Sequence, residues 1–376
     1  MNSELEIKTE RIVKMLHAED LDAVLLNTQH NFAWLTCGGS NGIDLTRENG
    51  AGFLMITKEG GRYVVANNIE IGRLMAEELP EYAEFEPVEV TWQAEKDPRT
   101  ILNAAKSVAG GDKIGCDIGF SETRWVEPSI ASCRHELTPE EIERFRQLGR
   151  DAGEALSHVI LHLTPGQSEN EVSRIIRDEL ARYQIFSVVT LVAGDDRIPK
   201  YRHPVPTNNI WKNTILLVTC ARRSGLIASL SRVICAGDIP SDLQRTTVAC
   251  AAVNAALYDA TKIGATGSDL YSIAAAAYAD QGFADEISKH HQGGAAGYRT
   301  RDWVAHPGSG DVVKPNQAFA WNPSITGTKT EETTILTDNG LEVITSSPGF
   351  PTISTLINGR EYFSPGILSL SKGATA

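Results

Sequence analysis

Apolar positions along the first third of the chain alternate between helical spacing and short unbroken runs. The stretch EIKTERIVKMLHAEDL (6–21) carries its apolar residues at helical spacing, and EIGRLMAEEL (70–79) does so again. Between and after them stand DAVLL, GFLMIT, RYVVA and KIGCDIG, each short enough for a buried strand. Alternation of this kind predicts an α/β layer, a sheet covered by helices, over residues 1–136.

The pattern changes at LTPEEIERFRQLGRDAGEALSHVILHL. Thr138 can cap a helix, Pro139 suits its first turn, and Glu141 stands where a capping box needs it. A second domain is therefore expected over 137–376. Within it Ser168 and Glu171 form another capping box, ahead of an apolar face of Val172, Ile175, Ile176 and Leu180. The same order returns later: a helix through VNAALYDATK, a turn at IGATGS, and an apolar-periodic helix. A duplicated α+β domain would fold two sheets around a cleft, a natural place for a site.

Composition narrows the partners. With 35 Lys and Arg against 48 Asp and Glu, the net charge of −13 disfavours nucleic acid. The six cysteines form no CxxC pair and sit mostly in apolar runs such as LLVTC and VICAG, as reduced core residues do. The amphipathic N-terminus lacks the apolar core of a signal peptide, and no run of 18 apolar residues occurs. A cytoplasmic protein without membrane partners is expected, acting on a small molecule.

Four segments carry candidate chemistry. His203 precedes Pro204 in a polar loop that leads to the apolar strand TILLV. KHHQGGAAGYRTRDW places His290 and His291 before two glycines, which allow close backbone approach, with Tyr298, Arg299 and Arg301 following. SLSR sets Ser229, Ser231 and Arg232 at a strand end, and NPSITGTKTEETTIL puts Asn322 and Glu332 on adjacent strands.

In order, LTPGQSENEV, HPV, ILLVTCARRSGLIASLSRV, HHQGG, AWNPSI and EETTIL resemble the family of creatinase, aminopeptidase P, prolidase and methionine aminopeptidase. The resemblance spans the chain and implies an α/β N-terminal domain followed by a pita-bread α+β domain. It also implies a hydrolase of C–N bonds and a homodimer. Peptidases of the family hold two metal ions on two aspartates, a histidine and two glutamates. The matching positions here are Thr219 (within a residue), Ser229, His291, Asn322 and Glu332. Thr, Ser and Asn supply none of the anionic oxygens that a pair of hard cations needs, so neither metal nor any other cofactor is expected.

The layout is nearest to the metal-independent creatinase branch. His203 is similar to its proton-shuttling histidine, Arg301 to the arginine that holds the substrate carboxylate, and Arg47 to one that reaches a partner subunit's site. The creatinase glutamates fall on Ser231 and Asn322, so a cationic guanidinium is a poor substrate. The expected reaction is hydrolysis of an amide, lactam or amidine. His203, His291 and Glu332 would be catalytic, and Arg47, Arg301, Asn322, Ser229, Ser231, Thr219 and Tyr298 would bind substrate. Two alternatives stand: a metal-dependent peptidase of the aminopeptidase P or prolidase type, and an inactive member that binds a ligand.

Overall fold

The computed structural model describes residues 3–370. The chain divides into two compact units, Met1–Glu140 with Ser224–Leu226, and Glu141–Arg223 with Ile227–Ala376.

The first unit begins with α1 (Glu4–Ala18), capped by Ser3, whose hydroxyl accepts from Glu6 N while the Glu6 carboxylate accepts from Ser3 N. There follow β1 (Ala23–Thr28), α2 (Gln29–Leu35), β2 (Asn49–Thr57), β3 (Arg62–Asn67), α3 (Ile71–Glu77), β4 (Glu86–Val90), α4 (Pro98–Ala109), β5 (Ile114–Cys116), β6 (Arg124–Trp125) and α5 (Glu127–Arg134). The six strands form one mixed sheet in the order β4-β3-β2-β1-β5-β6. The apolar runs pack as the pattern predicts: Leu25, Phe53, Met55 and Val65 bury one face of the sheet against Ile101, Leu102 and Ala105 of α4. Enclosing Leu102 alone contributes about 1.5–3 kcal/mol, most of which Leu102→Ala would forfeit.

The second unit holds nearly all of α6 (Pro139–Ile160), then α7 (Glu169–Arg182), β7 (Phe186–Gly194), β8 (Thr214–Arg223), β9 (Leu226–Cys235), α8 (Ser241–Ala260), α9 (Gly267–Asp280), β10 (Gly293–Ala296), β11 (Ala318–Trp321), β12 (Ser324–Ile325), β13 (Thr328–Lys329), β14 (Glu332–Thr337), β15 (Gly340–Val343), β16 (Thr352–Ile357), β17 (Arg360–Pro365) and β18 (Ile367–Ser369). Its two four-stranded sheets run β18-β9-β8-β7 and β10-β11-β14-β15.

The internal repeat is physical. Ser168 caps α7 and Thr266 caps α9, each through a complete capping box. Each cap residue also makes an isolated antiparallel bridge to a segment well ahead of it, Ser168 to Ile210 and Thr266 to Val312. The backbone bonds on either side correspond: Gly166 N donates to Trp211 O and Gly264 N to Val313 O. Each half therefore ties its second helix to a loop that carries site residues. The buried core of the later half gathers Val253, Leu257, Tyr278, Trp303, Phe319 and Trp321, and Phe319 stacks on Trp321 at 5.8 Å. All six cysteines are free thiols, and among the described residues no helix is long and apolar enough to cross a membrane.

Candidate active site

A pocket of about 140 Å³ opens over the pairing of β7 with β8. In that pairing Val189 faces Cys220 and Leu191 faces Val218, and these four side chains form its apolar floor. The polar walls are His203, His291, Thr300, Arg301, Asn322, Lys329 and Glu331.

His203 rides on the loop between β7 and β8, and a buried carboxylate holds that loop. Glu169, in the first turn of α7 and 0% exposed, accepts from Gly194 N (2.9 Å), Thr207 N (3.0 Å), Thr207 Oγ1 (2.9 Å) and Asn209 Nδ2 (3.2 Å), and it pairs with Arg197. Next to His203, Arg202 pairs with Glu286 and donates to Ser324 Oγ (3.2 Å) and Thr326 Oγ1 (2.9 Å). The histidine is exposed, but its backbone is pinned on both sides.

Glu331 is the electrostatic centre. Lys329 Nζ lies 2.9 Å from one of its oxygens and Arg301 Nη2 3.0 Å from the other. Burial pushes the Glu331 carboxyl up, but the two cations outweigh it and leave it below the usual carboxylate range. Burial, reinforced by Lys329 and Arg301, lowers the His203 imidazole below its ordinary value and brings His291 down to about 4. Both rings are thus held toward the neutral form. Two cations against one carboxylate leave the pocket with surplus positive charge. Three buried polar atoms of the lining residues make no hydrogen bond among the described residues: Arg301 Nε, Asn322 Oδ1 and Glu331 Oε2, the last held by the Lys329 ion pair alone.

Of the residues read from the sequence, His203, His291, Arg301 and Asn322 come together here. Glu332 does not. It faces the opposite side, pairs with Arg232 (2.9 Å) and accepts from Thr345, beside a separate small pocket that also includes Phe350. Burial, more than these partners can offset, raises its carboxyl. The pocket glutamate is Glu331, and the reason is strand geometry: Trp321 pairs with Glu332, so the next position inward from Asn322 is Glu331.

The same parity displaces Thr219, whose hydroxyl lies 2.8 Å from Ser187 Oγ on the far face of β8, while Val218 and Cys220 face the pocket. Ser229 sits behind Cys220, donating to its sulfur at 3.3 Å. Ser231 is fully buried and does not line the pocket. Tyr298, 2% exposed, donates to Glu141 (2.8 Å) as a structural tie rather than lining the pocket. Arg47 is exposed in the first unit, with Asp44 as its ion-pair partner at 3.3 Å. Glu331, Cys220, Val218 and Lys329 were missed; the strand alternation around Glu332 and Thr219 was the signal that could have found the first three.

The chain matches the model of metallopeptidase family M24 over residues 143–343, more than half its length, and it belongs to that family of hydrolases. No curated protein sequence matches it. Solved structures share the fold. A Xaa-Pro dipeptidase from Bacillus anthracis is similar at a TM-score of 0.71 and 18% identity, covering 91% of this chain and 97% of that one. The prolidase from Pyrococcus horikoshii OT3 is similar at 0.72 and 18%, covering 90% and 98%. The N-terminal domain of FACT complex subunit SPT16 from chickpea is similar at 0.67 and 13%, covering 91% and 96%. The fold is thus the pita-bread fold with an α/β N-terminal domain. Nothing in these likenesses supports the creatinase branch that the sequence reading favoured.

The family's name implies metal, and the donors in this pocket do not fit the dinuclear centre that the resemblance describes. Where it expects four carboxylates and a histidine, the pocket offers the Cys220 thiol, Ser229 behind it, Asn322, His291 and one carboxylate. Burial raises the Cys220 thiol, so it is protonated. The one carboxylate, Glu331, already carries Lys329 and Arg301. A pair of hard cations needs several anionic oxygens, and here two side-chain cations stand on the carboxylate that remains.

Proposed function

We propose that the chain hydrolyses an amide C–N bond, a peptide bond included, in a small substrate that bears a carboxylate, and that it does so without a dinuclear metal centre. The observation that carries this reading is the convergence of Lys329 and Arg301 on Glu331 inside the pocket. Cations fixed on protein side chains supply positive charge where the family's reaction needs it.

In this reading Arg301, with its uncommitted Nε, takes the substrate carboxylate. His203, held toward its neutral form, takes a proton from water and returns it to the leaving nitrogen. Lys329 and the Asn322 amide stand near the developing oxyanion, and His291 holds the water. A guanidinium substrate is repelled by the same surplus charge that attracts an acid. The pocket has room for about five waters, so it encloses the reacting end of a substrate rather than a long peptide. The named neighbours make Xaa-Pro dipeptides the first substrates to try. Exposed Arg47 would serve a partner subunit's pocket in a homodimer.

The test is a panel of dipeptides and small carboxylate-bearing amides, run with a strong chelator and then with manganese or cobalt. Turnover in chelator, lost in His203→Gln, supports the reading. Turnover that appears only on adding manganese or cobalt overturns it in favour of a metal-dependent peptidase. A second reading, binding without turnover, is favoured by the two ion pairs that Glu331 makes, and carboxylate ligands that raise the melting temperature without being cleaved would establish it.

A further inference from the structure

Beside this pocket three imidazoles converge. One ring nitrogen from each of His203, His290 and His291 lies within 4.8 Å of the other two. The nearest pair, His290 Nε2 and His203 Nε2, is 3.1 Å apart, and the His290 and His291 rings stack at 4.5 Å. A tetrahedral zinc ion with Zn–N bonds near 2.0–2.1 Å sets its ligand atoms roughly 3.4 Å apart. The first pair already has that spacing. The third nitrogen, on the exposed His291, lies within 4.8 Å of both.

His290 is the anchored member. Its Nδ1 lies 3.3 Å from Ser324 Oγ, and with Nδ1–H donating there the Nε2 lone pair is presented to the other two rings. Ser324 is itself fixed by Arg202 (3.2 Å). Without an ion, the two facing Nε2 atoms have to share one hydrogen, since two lone pairs at 3.1 Å repel. Three neutral nitrogens and no carboxylate select a borderline ion of the zinc, cobalt or nickel class over magnesium, calcium or manganese. Lys329 and Arg301 add unfavourable charge, partly offset by Glu331, so the open coordination position favours an anion such as hydroxide or chloride.

We propose that His203, His290 and His291 bind one zinc-class ion, and that its binding silences the hydrolase: with the ion on Nε2 the ring hydrogen of His203 moves to Nδ1, and no lone pair is left to accept a proton. The binding half stands on geometry alone; the silencing half rests on the function proposed above.

The experiment uses the full chain stripped with chelator, then titrated with zinc by calorimetry and with cobalt by visible absorption. The wild type is expected to take one ion per chain with a tetrahedral cobalt spectrum. His290→Gln, which can still hydrogen-bond and does not alter the pocket lining, is expected to weaken binding at least about 100-fold. Whatever metal-free turnover it retains is expected to be insensitive to zinc. His203→Gln serves as a second ligand variant for the binding measurement should His290→Gln fail to fold. Equal zinc affinity in the wild type and a folded ligand variant overturns the site, as does no binding by the wild type at pH 7. Zinc that binds through these histidines yet raises turnover overturns the silencing half. If no substrate is turned over at all, the proposed function fails while the binding comparison still decides the site.

Discussion

Lys329 Nζ and Glu331 Oε2 lie 2.9 Å apart with one residue between them, and their side chains are only 5% and 3% exposed. Alternation along an extended chain sends both to the same side, and Thr330 between them to the other. A pair so enclosed is costly to break from one end. Glu331→Gln leaves two cations without their carboxylate and is expected to lose roughly 3 kcal/mol in urea unfolding. Lys329→Met combined with Glu331→Gln should recover most of it. A Glu331→Gln loss below about 0.5 kcal/mol would show that water already screens the pair.

Adjacent glutamates should separate by function. Glu331→Gln is expected to abolish turnover or carboxylate binding, whereas Glu332→Gln should lower stability by leaving Arg232 without its carboxylate and leave kcat within about threefold. Equal loss of kcat in both would mean that the strand face assigned to each is wrong.

The pH profile follows from His203. A base works unprotonated, so kcat/KM should fall as pH drops through its folded-state pKa, which burial first and Lys329 second hold below 6.5. The acid limb should therefore lie below the pH at which a free imidazole titrates. In Lys329→Met one lowering influence is gone, and the acid limb should move to higher pH. An unmoved limb would assign it to another group.

Arg301→Ala should raise KM for carboxylate-bearing substrates by about tenfold or more with a smaller change in kcat, and rising salt should narrow the gap between variant and wild type. A variant that loses kcat at constant KM would place Arg301 on the transition state instead.

Glu169 touches no substrate, yet it ties together the loop that carries His203. Glu169→Gln keeps the size but loses the charge and some acceptor capacity for the donors from Gly194, Thr207, Asn209 and Arg197. We expect a stability loss of about 1–3 kcal/mol and a fall in kcat with the acid limb of the pH profile unmoved. A shifted limb would mean that Glu169 acts on His203 electrostatically.

The α/β layer, the capping box at Ser168 and the duplicated layout could be read because periodicity and caps are local properties. The site residues on loops, His203 and His291, and the one beside a glycine-rich turn, Arg301, were also legible, since each comes with its own backbone signal. What failed was parity within strands. TEET and VTC contain plausible residues at neighbouring positions, and which of them turns inward is fixed by the register with β11 and β7, which a single chain does not display. Lys329 was invisible for another reason: a lysine in a polar hairpin reads as solvated, and only its neighbours reveal that it is buried.

The stretch from Asn322 to Glu331 contains the small β12–β13 hairpin, turned at Thr326 and at Gly327 with φ +98°. Because one residue of slip exchanges Glu331 for Glu332, the property this hairpin must preserve is its length. Many substitutions at its tip should be harmless. A single-residue insertion or deletion would rotate the acid out of the pocket, swing its neighbour in, and change the chemistry of the chain without altering any residue that performs it.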